Sequence, residues 1–460
     1  METDKTVSIK ERRAADSLAG TGDGFPDMAL TTKDLTCDVL VVGSGAAGAM
    51  AAIKAQLAGA DVLVATKGPY PSGNSTKALA GYAAAFGHSD QRDTPDIHFG
   101  DVVRNGVGLC NQKLVKVWTR AICDLTEEMR GWGLDVIRQD GKYVQVPWEG
   151  HMYPRMVNHN RVTGKYVMKC LGEKSAALGI RSLPHTVVGG LFRDEDAISG
   201  AWGFDYRNLQ YVVIRAKSVI LTTGGIGAMY PVGDNVSTAT GEGFALAFDA
   251  GAEMTGMEFS HFLPTVVSPK PLVARFAYIP FVNGLINQSE AKLYNGRNER
   301  FLARRFPETA EKRIKAEDLV RYMGEEIFAG RGGKNGGIYL DLADVPATFE
   351  SDPTYARVWQ LAARAGIDLR KERMELIPYP HDHVGGIRID ELGRTNVPGL
   401  YAAGESTGSS HGASRFGGSA LSDALVFGAI AAQDAAVYAA AMDAAPRVTK
   451  ADVTALAETI

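Results

Sequence analysis

The residues of this chain best placed to do chemistry are Gly43-Ser44-Gly45-Ala46-Ala47-Gly48. They follow a short run, 38–42, that is apolar and mostly β-branched after Asp38 and is closed by glycine, which is how a buried parallel strand reads. The alanine-rich stretch 49–58 reads as the helix that comes next. Gly43 lets the chain turn, Gly45 removes the side chain that would block a pyrophosphate, and Gly48 lets helix and strand pack closely. The N–H groups opening the helix, with Ala46 and Ala47 first, face such a phosphate with partial positive charge. A glycine-rich turn without a nucleotide is the bland alternative, and the strand-to-helix context weighs against it.

The second predicted strand, 61–65, ends at Thr66-Lys67. An acidic residue there would hold a ribose hydroxyl of NAD, and none is present. The absence points away from ordinary NAD binding and toward a flavin protein.

The elements that position this turn must come from a large core. At 460 residues the chain predicts two domains, one of them possibly discontinuous. A net charge of −4 gives no electrostatic reason to expect nucleic acid or an anionic membrane. Cys37, Cys110, Cys123 and Cys170 are scattered without a C-x-x-C, which argues against a metal cluster or a redox disulfide and predicts reduced, buried thiols. No segment reads as apolar for the length of a membrane span, and no export signal is read near Arg12-Arg13, so a cytoplasmic location is expected. Residues 1–35 read as a polar arm.

Along the chain, 68–76 is a loop by composition, and the small-residue run 78–87 predicts a tightly packed helix, with close backbone approach to a flat ligand as the alternative. Apolar positions from Leu114 to Met129 recur at helical spacing. The aromatic, His and Arg-rich stretch 142–162 fits a pocket wall and a surface loop equally. Short strands are predicted at 187–192, 201–206, 210–215 and 218–221, the last running into Thr222-Thr223-Gly224-Gly225, which could return backbone to the same nucleotide.

Together with Thr240-Gly241-Glu242-Gly243, Gly399-Leu400-Tyr401-Ala402-Ala403-Gly404-Glu405 and His411-Gly412-Ala413-Ser414-Arg415-Phe416-Gly417-Gly418-Ser419-Ala420-Leu421, these motifs resemble the succinate dehydrogenase/fumarate reductase flavoprotein family, which includes L-aspartate oxidase. The resemblance runs from about residue 37 to the early 440s. It implies an α/β fold: a Rossmann-like, GR2-type FAD-binding domain (36–253 and 378–445) interrupted by an α+β capping domain (254–377), with 446–460 as a tail. Glu405 is placed to accept from a ribose or ribityl hydroxyl, and the helix opening at Ser419 and Leu421 would meet the flavin's pyrimidine edge. Thr66, Lys67, Ser75, Thr76, Gly224 and Gly225 complete the implied FAD contacts. Several members link FAD covalently through a histidine after strand two. Ser75 matches that place here, so non-covalent FAD is expected.

The cap departs from the family. Where members acting on C4 dicarboxylates carry His-Pro-Thr, this chain reads Leu263-Pro264-Thr265; for their Thr-Glu pair it reads Phe281-Val282-Asn283-Gly284; and for their Arg-Asp proton-donor motif it reads Glu317-Asp318-Leu319-Val320. His381, four residues before Gly385-Gly386-Ile387, matches the substrate histidine, and Arg415 matches the carboxylate-binding arginine. The plainer readings are a structural histidine and an arginine paired with an acidic neighbour. His383 invites a metal reading with His381, but no ligand cluster completes it. His261, Arg275, Tyr278 and Glu317 are candidates for the replacement proton donor, and Arg300 reads as family motif or structural ion pair.

The expectation is an FAD-dependent oxidoreductase passing hydride between flavin N5 and a carbon beside a carboxylate or carbonyl in a small-molecule substrate. Succinate, fumarate and L-aspartate are poor candidates. A flavoprotein subunit relaying electrons to a separate iron–sulfur or quinone-linked partner is the alternative, and oligomeric state is not legible.

Overall fold

A computed structural model of the chain describes residues 32–442, apart from 149, 161, 274–284, 288, 313, 315, 353 and 354, and also Val448. Strand β1 (Thr32–Val42) starts inside the stretch expected as an arm, with Thr32 in register with Tyr211. Its first residues are polar and exposed, so they carry no apolar signal; the rest of the expected arm lies outside the described residues. Helix α1 (Ala46–Leu57) is buried from Ala46 to Ile53, mostly through alanine and glycine, whose small size allows close approach, with Met50 and Ile53 filling the core. Strand β2 (Val62–Ala65) is fully buried and parallel to β1. Residues 78–87 contain no helix, contrary to the packed helix expected there. They run extended, and Ala78 to Gly81 face a cavity, because their small size serves close backbone approach rather than helix packing.

Helix α2 (Pro95–Asn105) is capped by Thr94, whose hydroxyl accepts from the Ile97 N–H, and α3 (Gln112–Gly131) by Asn111. After α4 (Thr163–Ala177) come β3 (Arg181–Leu183), β4 (Thr186–Asp194), β5 (Ala197–Asp205) and β6 (Gln210–Leu221). The two strands expected at 210–215 and 218–221 are one, since Ala216 and Lys217 continue its pairing. The sheet order is β3-β2-β1-β6-β5-β4, parallel from β3 to β6 and antiparallel beyond. Helix α5 (Glu242–Asp249) follows.

A second sheet, wholly antiparallel, is built from β7 (Ser260–Ser268), β8 (Lys292–Tyr294), β9 (Ile338–Asp341) and β10 (Met374–His383), in the order β7-β10-β9-β8. Helices α6 (Ala316–Glu326) and α7 (Ala356–Arg364) accompany it. Its apolar core, with Leu293, Phe301, Leu319, Met323, Leu340 and Leu376, is separate from the core around the parallel sheet. The chain then returns: β11 (Leu400–Ala402) pairs parallel with β6, and α8 (Ser419–Ala440) packs on α1. Helix α8 is long and apolar enough to cross a membrane by length and composition, which corrects the expectation that no segment approaches this; most of it is buried, as in a core helix.

Candidate active site

Backbone from both ends of the chain shapes one side of the site. A Cβ on Gly43, whose φ is +107°, would run into the Thr222 carbonyl, and one on Gly48 would meet the Gly43 carbonyl. These two glycines are required by the protein's own packing. Gly45 differs: an added Cβ would find only Ser75 Oγ at 3.4 Å and the Ser72 carbonyl at 3.9 Å. The opening of α1 has no side-chain cap from Gly45, and the Ala46 N–H donates to Ser75 Oγ at 3.0 Å. Space left at Gly45 beside free helix N–H groups fits a phosphate.

A cavity of ≈ 1230 Å³ extends from this turn to the second, antiparallel sheet and α6. It exceeds the roughly 300–1,000 Å³ of an ordinary small-molecule pocket, leaving room for a large cofactor and a substrate together. Among the residues expected to hold a cofactor, Gly43, Gly45, Ala46, Ala47, Thr66, Lys67, Ser75, Gly224, Glu405 and Leu421 line it. Gly48, Thr76, Gly225 and Ser419 do not. Gly48 serves packing, Thr76 bonds the Gly73 carbonyl, Gly225 lies where a Cβ would meet Glu405 at 2.5 Å, and Ser419 is buried at the start of α8. Lys67 is held by Glu242 and Thr240, each at 2.7 Å. Half-buried Glu405 accepts from the His383 N–H at 3.4 Å, and loss of water plus the nearby Asp382 pushes its carboxyl up to about 7. A carboxyl in that position is suited to a sugar or ribityl hydroxyl.

The opposite wall comes from β7, β10, α6 and the 411–418 turn. Arg415 grips Asp382 with two bonds, Nε to Oδ2 at 2.9 Å and Nη2 to Oδ1 at 3.1 Å. Asp382 Oδ1 also pairs with His261 Nδ1 at 2.9 Å, and His261 Nε2 stands 3.5 Å from Glu317 Oε1. Ser414 Oγ donates to that same Glu317 oxygen at 2.7 Å. Burial disfavours the charge on His261, but attraction and hydrogen bonding from Asp382 and Glu317 outweigh it and raise the imidazole to about 9. Burial opposes the charge of Asp382 too, and Arg415 and His261 hold it well below the carboxylate range. Glu317 is likewise lowered to about 2, the bonds from His261 and Ser414 overriding burial.

His381 Nδ1 pairs with Asp234 at 2.9 Å, and Asn235 Nδ2 donates to the His381 carbonyl at 2.9 Å. His383 Nδ1 meets Ser260 Oγ at 2.9 Å, while its buried Nε2 has no hydrogen-bond partner among the described residues. The plainer sequence readings thus have a geometric basis: Arg415 does pair with an acidic neighbour, and His381 is hydrogen-bonded within the fold. Both still face the cavity. Tyr278, Arg275 and the 281–284 segment lie outside the described residues. Arg300 forms a structural pair with Glu311 at 2.7 Å.

A model of the family described as FAD binding domain matches residues 38–421. A fumarate reductase (CoM/CoB) subunit of Methanothermobacter marburgensis is 36% identical over 396 residues, 85% of this chain and 71% of its own length. The chain belongs to the succinate dehydrogenase/fumarate reductase flavoprotein family. L-aspartate oxidase of Streptomyces coelicolor is 32% identical over 422 residues, covering 88% of this flavoprotein and 70% of itself. The solved structure of Mycobacterium smegmatis Sdh1 in complex with UQ1 matches with a TM-score of 0.84 at 33% identity, over 93% of this flavoprotein and 72% of that chain. The flavoprotein is an FAD-dependent oxidoreductase, as its sequence predicts.

Sequence reasoning passed over Asp382, the residue at the centre of the flavoprotein's polar cluster. Strict alternation along β10 would turn it away from His381 and His383. The pairing with β7 slips between His261 and Phe262, leaving His381 unpaired as a bulge, and His381, Asp382 and His383 all reach the cavity. Asp234 and Trp148, also on the lining, come from loops with no motif of their own. Buried Arg155, from the aromatic-rich stretch, pairs with Asp93 and Asp101 and is structural. Of the four thiols, Cys123 is only half-buried; the others are buried, and all are unpaired.

Proposed function

We propose that this flavoprotein dehydrogenates or reduces a C–C bond beside a carbonyl or carboxylate in a small organic substrate held between the glycine cradle and the cap. When bound, FAD supplies the hydride acceptor or donor at N5. Gly45 and the opening of α1 would take its pyrophosphate, Glu405 a ribose or ribityl hydroxyl, Gly224 the backbone approach, and the start of α8 the pyrimidine edge. The 72–78 loop carries no His, Cys or Tyr, which supports FAD held without a covalent link.

The observation that carries the reading is the run Ser414, Glu317, His261, Asp382, Arg415 opening onto the cavity. Glu317 is ionised at neutral pH and is a poor resting acid by itself. His261, kept protonated by Asp382 and Glu317, is the group of this cluster that holds a proton at neutral pH and can give it to the substrate carbon, with Glu317 Oε1 orienting its Nε2 from 3.5 Å. Leu263 and Glu317, standing where dicarboxylate enzymes of the family carry His and Arg, support substrates other than succinate, fumarate and L-aspartate. An anaerobic flavin-bleaching and reoxidation screen over organic acids, amino acids and cyclic ketones, with those three included, tests this. A compound that changes the flavin spectrum names the substrate class, and silence across the whole set refutes the reading.

A second reading has its own support: the Methanothermobacter relative is named as one subunit of a fumarate reductase, and among the described residues no group of three or more His, Cys, Asp or Glu could hold a metal. Electrons passed onward would then need a separate iron–sulfur or quinone-linked partner. Co-purification of such a partner, required for steady turnover, would establish it.

A further inference from the structure

We infer that Asp382 is a built-in carboxylate that holds Arg415 in place of a substrate carboxylate, so that the cavity takes an uncharged carbonyl compound such as a ketone, enone or ester rather than a dicarboxylate. The inference rests on the oxidoreductase reading above and narrows its substrate class.

Three observations carry it. The Nε and Nη2 edge of Arg415, the fork that would grip an incoming carboxylate with two bonds, is already closed on both oxygens of Asp382. Asp382 is 9% exposed and Arg415 11%, so the pair is a fixed part of the wall and not a surface contact that solvent screens. The cluster is also balanced in charge, with Arg415 and protonated His261 against Asp382 and Glu317. Asp234, on His381, adds a further carboxylate to the same lining. A dianion approaching this cluster would meet, among the described residues of the cluster, no cation without a carboxylate partner and would have to compete with an internal carboxylate already in place; Lys77, elsewhere on the lining, gives its Nζ to the Asp234 carbonyl. A neutral carbonyl needs only a hydrogen-bond donor, which the protonated His261 on the lining can provide. Asp382 thereby becomes a specificity-determining residue, and the bulge in β10 is the device that brings it into the site.

The test uses the FAD-loaded full chain with malonate as the anionic probe, read from the flavin difference spectrum, and fumarate and dimethyl fumarate as a matched charged and neutral pair, read as anaerobic reoxidation of the dithionite-reduced protein. The native protein should bind malonate weakly and be reoxidised faster by the diester than by the diacid. Asp382→Asn should tighten malonate binding by at least about tenfold, about 1.4 kcal/mol, and adding Arg415→Ala should erase that gain. Tight malonate binding by the native protein, or faster reoxidation by fumarate, overturns the inference. If Asp382→Asn does not fold, these two measurements on the native protein still decide it. The broader reading fails separately, when no carbonyl compound of either charge alters the flavin, and the malonate result stands in that case too.

Discussion

The two walls of the cavity are made in different ways. The wall proposed to hold FAD is a matter of backbone: glycines at Gly43 and Gly48 where a Cβ would strike carbonyl oxygens, a third at Gly45 where the protein leaves room, and strands β1, β6 and β11 aimed at one place. The cap wall is a matter of side chains: Glu317, His261, Asp382 and Arg415 reach one another from α6, β7, β10 and the 411–418 turn. A backbone cradle constrains which ligand is held and changes little with chemistry. A side-chain cluster is free to change charge and proton path while the fold stays the same.

The largest effect should come from the cradle. A Cβ at Gly45 meets only ordinary contacts, Ser75 Oγ at 3.4 Å and the Ser72 carbonyl at 3.9 Å, and φ there is −66°, open to any residue, so Gly45→Val should fold and yet bind no flavin. A colourless protein with an unchanged melting midpoint is expected, and retained yellow colour after gel filtration would contradict the phosphate assignment. Gly43→Ala is the contrasting case. There the added methyl and the positive φ act on the protein itself, and folding should suffer whether or not flavin is supplied.

On the cap side, Glu317→Gln should lower turnover on whatever substrate the screen identifies by up to about 10²–10⁴-fold, the span of a lost proton-transfer group, because it removes a carboxylate that keeps His261 protonated and oriented, with flavin still bound. A spectrum or flavin content altered to the same degree would instead make Glu317 a structural residue. Arg415→Ala removes one of the two cations on a buried carboxylate and leaves Asp382 with His261 alone, at a cost of up to about 3–5 kcal/mol in stability. Chemical denaturation measures it. The double variant Asp382→Asn with Arg415→Ala should recover part of the loss, because the buried charge goes with it.

How much could be read from the sequence follows the same division. Gly43, Gly45 and Gly48 are visible because the geometry of a strand–turn–helix allows few residue types, and Glu405 because it ends another short apolar strand. The run 78–87 is ambiguous in sequence, since small residues suit a packed helix and a backbone pressed toward a ligand alike. Asp382 was illegible for a different reason: period-two alternation hides a residue beside a bulge, and nothing local announces the slip in pairing that β7 imposes. Its partners are 121 and 33 positions away, so the cluster exists only once the chain is folded.

The subtlest difference between the walls should appear in the dependence of stability on pH. His261 is raised from an ordinary 6.5 to about 9, so the stabilisation it draws from Asp382 and Glu317 is fully present below about pH 6.5 and lost as pH rises through about 9. Glu405 and Asp423 act in a lower window. Burial lifts each to about 7 from ordinary values of 4.5 and 3.8, so each costs stability progressively as pH rises from its ordinary value to about 7, and no further above that. The melting midpoint should therefore decline in two overlapping steps, the lower from residues at and beneath the wall proposed to hold FAD and the upper from the cap. His261→Asn should flatten only the upper step, between about pH 7 and 9. A slope in that range left unchanged by the substitution would mean that His261 is neutral in the folded protein, and the proton store assigned to it would have to lie elsewhere in the cluster.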